Sequence, residues 1–158
     1  SIITYATDIS KHALNIAQKN ATTHNVKITF LEGNLLEPAL KNSKLLNLES
    51  KLIITANLPY LTQEQFNEES SIQHEPYGAL VAEDNGLALY KKLLNQIQFL
   101  ISHFQFHVSV FFEIDPSQTA PLLHYIQSQF PKAQIKIIKD HMENNRVIHI
   151  IIDKPNHS

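Results

Sequence analysis

The order of apolar and polar positions along the chain predicts strands that alternate with helices. Short apolar runs bounded by turn residues are typical of strands, and the chain has them at residues 2–6, 26–31, 52–56 and 106–114. Ser10 can cap a helix over residues 11–21, and from Gly86 onward an apolar residue recurs every three or four positions. The pattern therefore indicates an α/β protein.

A further helix carries apolar positions up to Phe130. It starts either at Asp115-Pro116 or at Thr119, and the pattern leaves both starts open because Pro121 is awkward beyond a first helical turn.

The remaining segments complete a single layered domain. Residues 135–139 and 147–152 pair naturally as a closing hairpin. Residues 35–50 are loop or broken helix, because Pro38 and Asn42-Ser43 interrupt any pattern, and residues 57–85 are rich in loop signals. Because the strands are apolar runs separated by helices, we expect a mostly parallel sheet with an antiparallel hairpin at its C-terminal end.

Composition narrows the class of protein. With 158 residues, 43% of them hydrophobic, the chain is long enough for one domain over residues 1–158 with its own core. Its net charge of −2 creates no global field that attracts nucleic acid or an anionic membrane, and no apolar run approaches the roughly 20 residues of a membrane span. The absence of cysteine suits a reducing compartment, so we expect a cytoplasmic protein.

The glycine count excludes the common nucleotide loops. The chain has three glycines, and none lies within two residues of another: Gly33, Gly78 and Gly86. A Gly-x-Gly-x-x-Gly loop or a P-loop therefore does not occur in this sequence.

Polar residues follow the first two predicted strands, where ligands of open α/β sheets bind. Asp8 ends the first strand, and its carboxylate can accept bonds from both ribose hydroxyls of a nucleoside, although an acidic helix start is the more common role. Asn34 follows the second strand and can meet the edge of a base, or simply form a turn.

The sharpest motif is Asn57-Leu58-Pro59-Tyr60, directly after the third predicted strand. Pro59 favours an extended Leu58, so that the Leu58 carbonyl projects beside the Asn57 side-chain oxygen. Two such acceptors suit a planar NH₂ group whose nitrogen faces a methyl donor, and Tyr60 can stack on that group. A proline turn with a capping Asn is the structural alternative.

The histidines do not predict a metal site. His103 and His107 are four positions apart, but they flank a strand start and no carboxylate stands at metal-ligand spacing.

These motifs, in this order, resemble the class I S-adenosylmethionine methyltransferases, and within them the HemK-type release factor glutamine methyltransferases. The resemblance covers about residues 5–150, and its most specific part is the Glu-Pro-x-x-Ala-Leu-x-Ala pattern. The segments that carry it are Ala6–Ser10, Leu31–Pro38, Ala56–Tyr60, His74–Leu87, Phe112–Ile114 with Gln118, and Lys139-Asp140 leading to Arg146.

The resemblance implies a Rossmann-like sheet, S-adenosylmethionine as cofactor and specific site residues. It assigns the cofactor to Asp8, Ile9, Asn34, Leu35 and Asn57, and catalysis to Asn57, Leu58, Pro59 and Tyr60. Asn34 stands where the family usually has an acidic residue, and Leu58 where it has proline. Asn-Leu-Pro-Tyr is also the form of this motif in ribosomal RNA adenine dimethyltransferases.

The resemblance also implies methyl transfer to the glutamine amide in the Gly-Gly-Gln loop of peptide chain release factors, the expected partner. The alternatives are an adenine amino-group methyltransferase acting on RNA or DNA, and a catalytically inactive fragment. The family's first strand, helix and Gly-rich loop are missing, so we expect the C-terminal portion of a longer protein. Self-association through exposed sheet edges is the other way to complete the sheet.

Overall fold

The computed structural model describes residues 2–41, 51–104 and 107–153, and the chain divides into two compact units, residues 1–48 and 49–158. The first unit alternates strands with helices, as its apolar pattern predicts. Its elements are β1 (Tyr5–Asp8), α1 (Lys11–Thr23), β2 (Thr29–Glu32) and α2 (Glu37–Leu40).

The strands β1 and β2 form a parallel pair in which Asp8 lies opposite Glu32. Ser10 caps α1 as predicted, because its side chain accepts a hydrogen bond from the Ala13 amide at 3.2 Å. Both strands begin later than predicted. After the helix, the Val26 amide donates to the Ala21 carbonyl at 2.9 Å, which keeps Val26 in the helix terminus and delays β2 to Thr29.

The second unit has a longer series of elements. They are β3 (Lys51–Asn57), α3 (Gln63–Glu68), a 3₁₀ turn (Ser70–Ile72), α4 (Tyr77–Leu80), α5 (Ala88–His103), β4 (His107–Glu113), a second 3₁₀ turn (Pro116–Gln118), α6 (Thr119–Gln129), β5 (Gln134–Lys139) and β6 (Asn145–Ile152). Residues 57–85, predicted to be loop-rich, therefore contain two short helices and a 3₁₀ turn.

The four strands of the second unit form one sheet in the order β3-β4-β6-β5. The pairing of β3 with β4 is parallel, whereas β4–β6 and β5–β6 are antiparallel. The predicted hairpin is confirmed. The prediction of a mostly parallel sheet holds only for β1–β2 and β3–β4, because β6 of the hairpin, and not β5, pairs with β4.

The core of the second unit lies on one face of this sheet. Alternate residues of β4 and β6 are buried, and the apolar stripe of α5 and the inner face of α6 are buried with them. This confirms the helical period predicted from Gly86 onward. The fully buried side chains include Tyr90, Leu94, Ile97, Val110, Phe112, Leu122, Ile126, Ile148 and Ile150.

The start of the helix before Phe130 combines both predicted alternatives. The Asp115 side chain accepts from the Ser117 amide at 2.9 Å and caps the 3₁₀ turn, and α6 follows at Thr119 without a break. Pro121 falls in the first turn of α6, where a backbone N–H has no helical partner to lose.

Parts of two predictions fall outside the described residues: 42–50 of the loop-rich segment 35–50, and Phe106 of the strand predicted over 106–114. Within the described ranges, no helix combines the length and the apolar character that crossing a membrane requires.

Candidate active site

Asp8 is the last residue of β1 and Asn34 follows β2 after Gly33, so both lie at the carboxyl ends of the paired strands. The Gly33 amide donates to the Asp8 carbonyl oxygen at 3.0 Å, which holds the turn after β2 against the end of β1. The structure therefore brings together the two polar residues that the sequence places at these strand ends.

The Asp8 carboxylate takes part in the start of helix α1. Its Oδ1 accepts a hydrogen bond from the Ser10 amide at 2.7 Å, so the helix-start role weighed from sequence is present. A carboxylate has acceptor capacity beyond one bond, and the Asp8 side chain is exposed. The neighbouring Ile9 is 66% exposed, which places an apolar surface beside the carboxylate.

The turn after β2 has a constrained backbone. The Asn34 carbonyl accepts from the Glu37 amide at 3.1 Å, and Leu35 has a φ of +53°. Gly33 has a φ of +154°, and a Cβ there would lie 2.4 Å from Pro38 Cγ. Asn34 therefore forms the turn through its backbone carbonyl. This bond does not involve its side-chain amide, which is half-buried.

The Asn57–Tyr60 segment stands at the carboxyl end of β3 in the second unit. Asn57 lies opposite Glu113 of β4 and is exposed, whereas Leu58, Pro59 and Tyr60 are half-buried. The segment therefore presents one polar side chain to solvent at an end of the sheet while the following residues pack inward.

Tyr90 of α5 packs behind this segment. Its side chain is fully buried, and its ring makes an edge-to-face contact with Phe112 at 5.2 Å between centroids. The Tyr90 hydroxyl donates to the Glu113 carbonyl at 2.5 Å and lies 3.5 Å from the Leu58 carbonyl oxygen. Burial, followed by the nearby Tyr60, Glu113 and Asp115, raises the pKa of Tyr90 well above its ordinary value.

Gly86, which bonds to Gln118, packs against Tyr60, the last residue of the Asn57–Tyr60 segment. Gly86 has a φ of +79°, and a Cβ there would lie 2.0 Å from the Tyr60 carbonyl oxygen and 2.6 Å from Gln118 Nε2. The buried Gln118 amide donates to the Gly86 carbonyl at 2.9 Å and accepts from the Asp115 amide at 3.1 Å. Only glycine fits this approach of the chain to Tyr60.

Directly after Tyr60, Leu61 forms an isolated parallel β-bridge with Val81. The Leu61 amide donates to the Leu80 carbonyl at 2.9 Å, and the Ala82 amide donates to the Leu61 carbonyl at 3.1 Å. A cavity of about 620 Å³ lies beside this bridge, and its lining comprises Thr62, Gln63, Glu64, Tyr77, Val81, Ala82, Glu83, Asp84 and Asn85. The His74–Leu87 segment of the resemblance therefore borders the polypeptide that follows Tyr60.

The last residues of the resemblance close the C-terminal hairpin. Asp140 Oδ1 accepts from the Met142 and Asn144 amides at 2.8 and 3.0 Å, and Arg146 Nη2 lies 3.4 Å from Asp140 Oδ2. Arg146 also donates to the Ile114 carbonyl at 3.4 Å. These side chains shape the turn between β5 and β6 and tie it to the end of β4.

The two histidines weighed as metal ligands each have a polar partner within the second unit. His103 Nδ1 lies 2.8 Å from the Phe99 carbonyl oxygen, and His107 Nδ1 lies 3.3 Å from Asp153 Oδ1. Among residues 2–41, 51–104 and 107–153, no group of three or more His, Asp or Glu side chains is arranged to hold a metal ion.

The predicted site residues lie in both units, with Asp8, Ile9, Asn34 and Leu35 in the first and Asn57–Tyr60 in the second. Sequence reasoning did not identify Tyr90, Gly86 and Gln118 as neighbours of the Asn57–Tyr60 segment. A hydroxyl within an otherwise aliphatic helical stripe was the available signal for Tyr90, because a buried tyrosine needs a hydrogen-bond partner.

No protein-family model matches the chain. The release factor glutamine methyltransferase of Bacillus subtilis is 34% identical over 151 residues, which are 94% of this chain and 50% of that protein. That of Enterococcus faecalis is 34% identical over 144 residues, 90% of this chain and 48% of that protein. The chain spans about half the length of the curated relatives it matches.

Solved structures show the fold. The human METTL16 catalytic domain in complex with hairpin 1 of the MAT2A 3′ untranslated region has a TM-score of 0.66 at 15% identity, over 98% of this chain and 56% of that chain. The N-terminal domain of human METTL16 in complex with SAH has a TM-score of 0.60 at 18% identity, over 95% and 52%. The chain thus has the α/β fold of methyltransferase domains, and over about nine-tenths of its length it is a homologue of the release factor glutamine methyltransferases.

Proposed function

We propose that this chain acts in methyl transfer from S-adenosylmethionine to the side-chain amide nitrogen of glutamine in the Gly-Gly-Gln loop of peptide chain release factors. The observation that carries the proposal is the Asn57–Tyr60 segment at the end of β3, in a chain homologous over nine-tenths of its length to release factor glutamine methyltransferases. Release factors are the partner that follows from this proposal.

Asn57 and Leu58 would orient the substrate amide. An amide nitrogen is a poor nucleophile because its lone pair is delocalised into the carbonyl. The Asn57 Oδ1 and the Leu58 carbonyl oxygen would each accept one of its protons, which fixes the NH₂ group and favours a pyramidal nitrogen. Pro59 favours an extended Leu58, and Tyr60 would cover the planar amide.

The residues of the first unit fit the nucleoside part of the cofactor. S-adenosylmethionine supplies an electrophilic methyl group when it is bound. The exposed Asp8 carboxylate has acceptor capacity for ribose hydroxyls, and the exposed Ile9 offers an apolar contact for an adenine ring. Asn34 and Leu35 would contact the adenine, and Asn57 would border the methyl-donating end of the cofactor while adding little to cofactor affinity.

The Gly-rich part of the cofactor site is not encoded in residues 1–158, which contain no Gly-x-Gly sequence. We infer that this loop, with the first strand and helix of a class I sheet, is supplied by polypeptide outside these residues. Completion by a second copy of the chain, through the edge strands of the sheet, is the alternative; Ile53 on the edge strand β3 is 66% exposed.

The test is methyl transfer by a chimera that joins the N-terminal half of the Bacillus subtilis relative to this chain. The chimera is expected to methylate a release factor, and Asn57→Ala is expected to abolish turnover while S-adenosylhomocysteine affinity, measured by calorimetry, stays nearly intact. Asn20→Ala, an exposed substitution within α1, is the matched control and retains full turnover.

A folded chimera that binds S-adenosylhomocysteine but transfers no methyl group would overturn the proposed function. Equal loss of turnover and cofactor affinity in Asn57→Ala would overturn the role of Asn57 alone.

Leu58 favours one second candidate, an adenine amino-group methyltransferase acting on RNA or DNA, because Asn-Leu-Pro-Tyr is the form of the motif in ribosomal RNA adenine dimethyltransferases. The same two acceptors suit an adenine amino group. The net charge of −2 disfavours nucleic-acid binding. Tight RNA binding by the chimera, with a steep dependence on salt, would support this candidate instead.

A further inference from the structure

The buried hydroxyl of Tyr90 faces two backbone carbonyls that flank the Asn57–Tyr60 segment. It lies 2.5 Å from the Glu113 carbonyl oxygen and 3.5 Å from the Leu58 carbonyl oxygen. Glu113 is the residue opposite Asn57 in the β3–β4 register. One side chain of α5 therefore touches the end of β4 and the residue that follows β3.

The two contacts are unequal, and the difference has a consequence for Leu58. A tyrosine hydroxyl has one proton, and the shorter distance assigns it to Glu113. The Leu58 carbonyl is thus positioned against the hydroxyl oxygen without being its hydrogen-bond acceptor. Its acceptor capacity remains available to a substrate, while the Tyr90 hydroxyl limits how far the carbonyl can turn inward.

The placement of Tyr90 is rigid. Its side chain is 0% exposed, and its ring packs edge to face on Phe112, the neighbour of Glu113 in β4. Burial also raises the pKa of Tyr90, so the hydroxyl keeps its proton at neutral pH and acts as a donor, not as a base. With its proton bonded to Glu113, the hydroxyl is held in one place, and the Leu58 carbonyl oxygen meets it at a fixed distance of 3.5 Å.

We propose that Tyr90 is a positioning residue for the Asn57–Tyr60 segment, whose hydroxyl, anchored on the Glu113 carbonyl, holds the Leu58 carbonyl in the direction in which it accepts from the substrate amide. The inference rests on the proposed function for the identity of the substrate. The contact between Tyr90 and Leu58 is independent of that function and is tested separately.

The chain offers a specific probe of the Leu58 carbonyl. Leu58-Pro59 is the single Leu-Pro bond among the 7 prolines of the sequence. Labelling leucine with ¹³C at the carbonyl and proline with ¹⁵N therefore yields one carbonyl–nitrogen cross-peak in the NMR spectrum, which belongs to this bond.

Tyr90→Phe removes only the hydroxyl and is expected to shift this cross-peak. Tyr125→Phe is the matched control, since it also removes a hydroxyl that bonds across α5 and α6, to Asn95 at 2.9 Å, away from Leu58. The control is expected to leave the cross-peak in place. A cross-peak at one position in the wild-type chain and both variants would overturn the contact.

A measurement on the wild-type chain covers the case in which Tyr90→Phe does not fold. The Tyr90 hydroxyl proton is buried and bonded, so it is expected to exchange with water far more slowly than that of the half-buried Tyr125. Equally fast exchange of the two protons would contradict a fixed hydroxyl at Tyr90.

The functional consequence is measured in the methyl-transferring chimera. Tyr90→Phe is expected to lower kcat about 10- to 100-fold, the range for a small misplacement of a reacting group, with the KM for release factor and the affinity for S-adenosylhomocysteine unchanged. Tyr125→Phe is expected to retain the wild-type kcat. A merely structural Tyr90 would instead change thermal stability while leaving kcat at the wild-type value.

The outcomes separate the two proposals. A wild-type chimera that folds and binds S-adenosylhomocysteine but transfers no methyl group contradicts the proposed function, and the NMR result then still decides the contact. An active wild-type chimera with an unchanged kcat in Tyr90→Phe contradicts the positioning role alone.

Discussion

The two groups of predicted site residues are held in different ways. In the first unit, the Asp8 side chain and the turn at Asn34 are held by bonds within a few residues of chain, such as the 2.7 Å bond from the Ser10 amide to Asp8, and the 3.0 Å backbone bond from Gly33 to Asp8 joins the two strand ends. In the second unit, the Asn57–Tyr60 segment is held from behind by Tyr90, Gly86 and Gln118, which lie about 30 to 60 residues away in sequence.

This difference predicts how strongly substitutions in each group of residues lower the stability of the protein. Local hydrogen bonds at a helix start contribute about 1 kcal/mol each, and an exposed helix terminus opens readily. A segment packed on buried side chains opens only when part of the core is disrupted. We therefore expect substitutions behind Tyr60 to cost far more stability than substitutions around Asp8, and the following predictions test that order.

The largest effect is expected for Gly86→Ala. The new Cβ would lie 2.0 Å from the Tyr60 carbonyl oxygen, at a φ of +79° that disfavours alanine. Strain and overpacking together predict a loss of about 3–4 kcal/mol in the free energy of unfolding, measured by urea denaturation.

Gly78→Ala is the matched control for this glycine, because nothing lies within 4 Å of its Cβ position. Gly78 is in α4, where alanine is expected to be neutral or stabilising by up to about 1 kcal/mol. Similar losses in the two variants would show that the approach of Gly86 to Tyr60 is not what supports the segment.

An intermediate effect is expected for Gln118→Leu. Leucine fills a similar volume but leaves the Gly86 carbonyl and the Asp115 amide without the bonds of 2.9 and 3.1 Å that Gln118 makes. The expected loss is about 2 kcal/mol in urea denaturation, the cost of unpaired buried polar groups. The exposed Gln127→Leu in α6 should change stability little, and a loss as small in Gln118→Leu would contradict the buried bonds.

The smallest effect is expected for Ser10→Ala in the first unit. It removes the 3.2 Å cap on the Ala13 amide and should destabilise α1 by about 1 kcal/mol, seen as faster hydrogen exchange of α1 amides. Ser10→Thr keeps the cap and should exchange as the wild-type chain does. Equal acceleration in the amides of α5 would contradict a local effect.

Sequence reasoning was strongest where a pattern is local. The cap at Ser10 and the apolar period from Gly86 are read from neighbouring residues, and the structure confirms both. It was weaker at strand starts, because the Val26 bond to the Ala21 carbonyl is an end effect of a helix that the strand pattern does not reveal. The division of the parallel and antiparallel pairings likewise depends on which strand lies beside β4.

The candidate site shows the same difference between features that depend on neighbouring residues and features that depend on contacts between distant residues. The residue types at the strand ends, Asp8, Asn34 and Asn57-Leu58-Pro59-Tyr60, are evident in the sequence because each follows an apolar run directly. Their roles as site residues stay predictions. The partners behind Tyr60 are not evident, because contact between Tyr60 and Gly86 depends on how the intervening polypeptide returns to the sheet.

The sequence by itself determined the longer helices α1, α5 and α6, the apolar runs of the strands and the polar residues that end them, because hydrophobic period, capping and turn chemistry act over a few residues. Tertiary structure alone decided that Tyr90, Gly86 and Gln118 converge behind the Asn57–Tyr60 segment. The physical reason is that burial and close packing join residues far apart in the chain, so which buried hydrogen-bonding group meets which carbonyl is settled only when the core has formed.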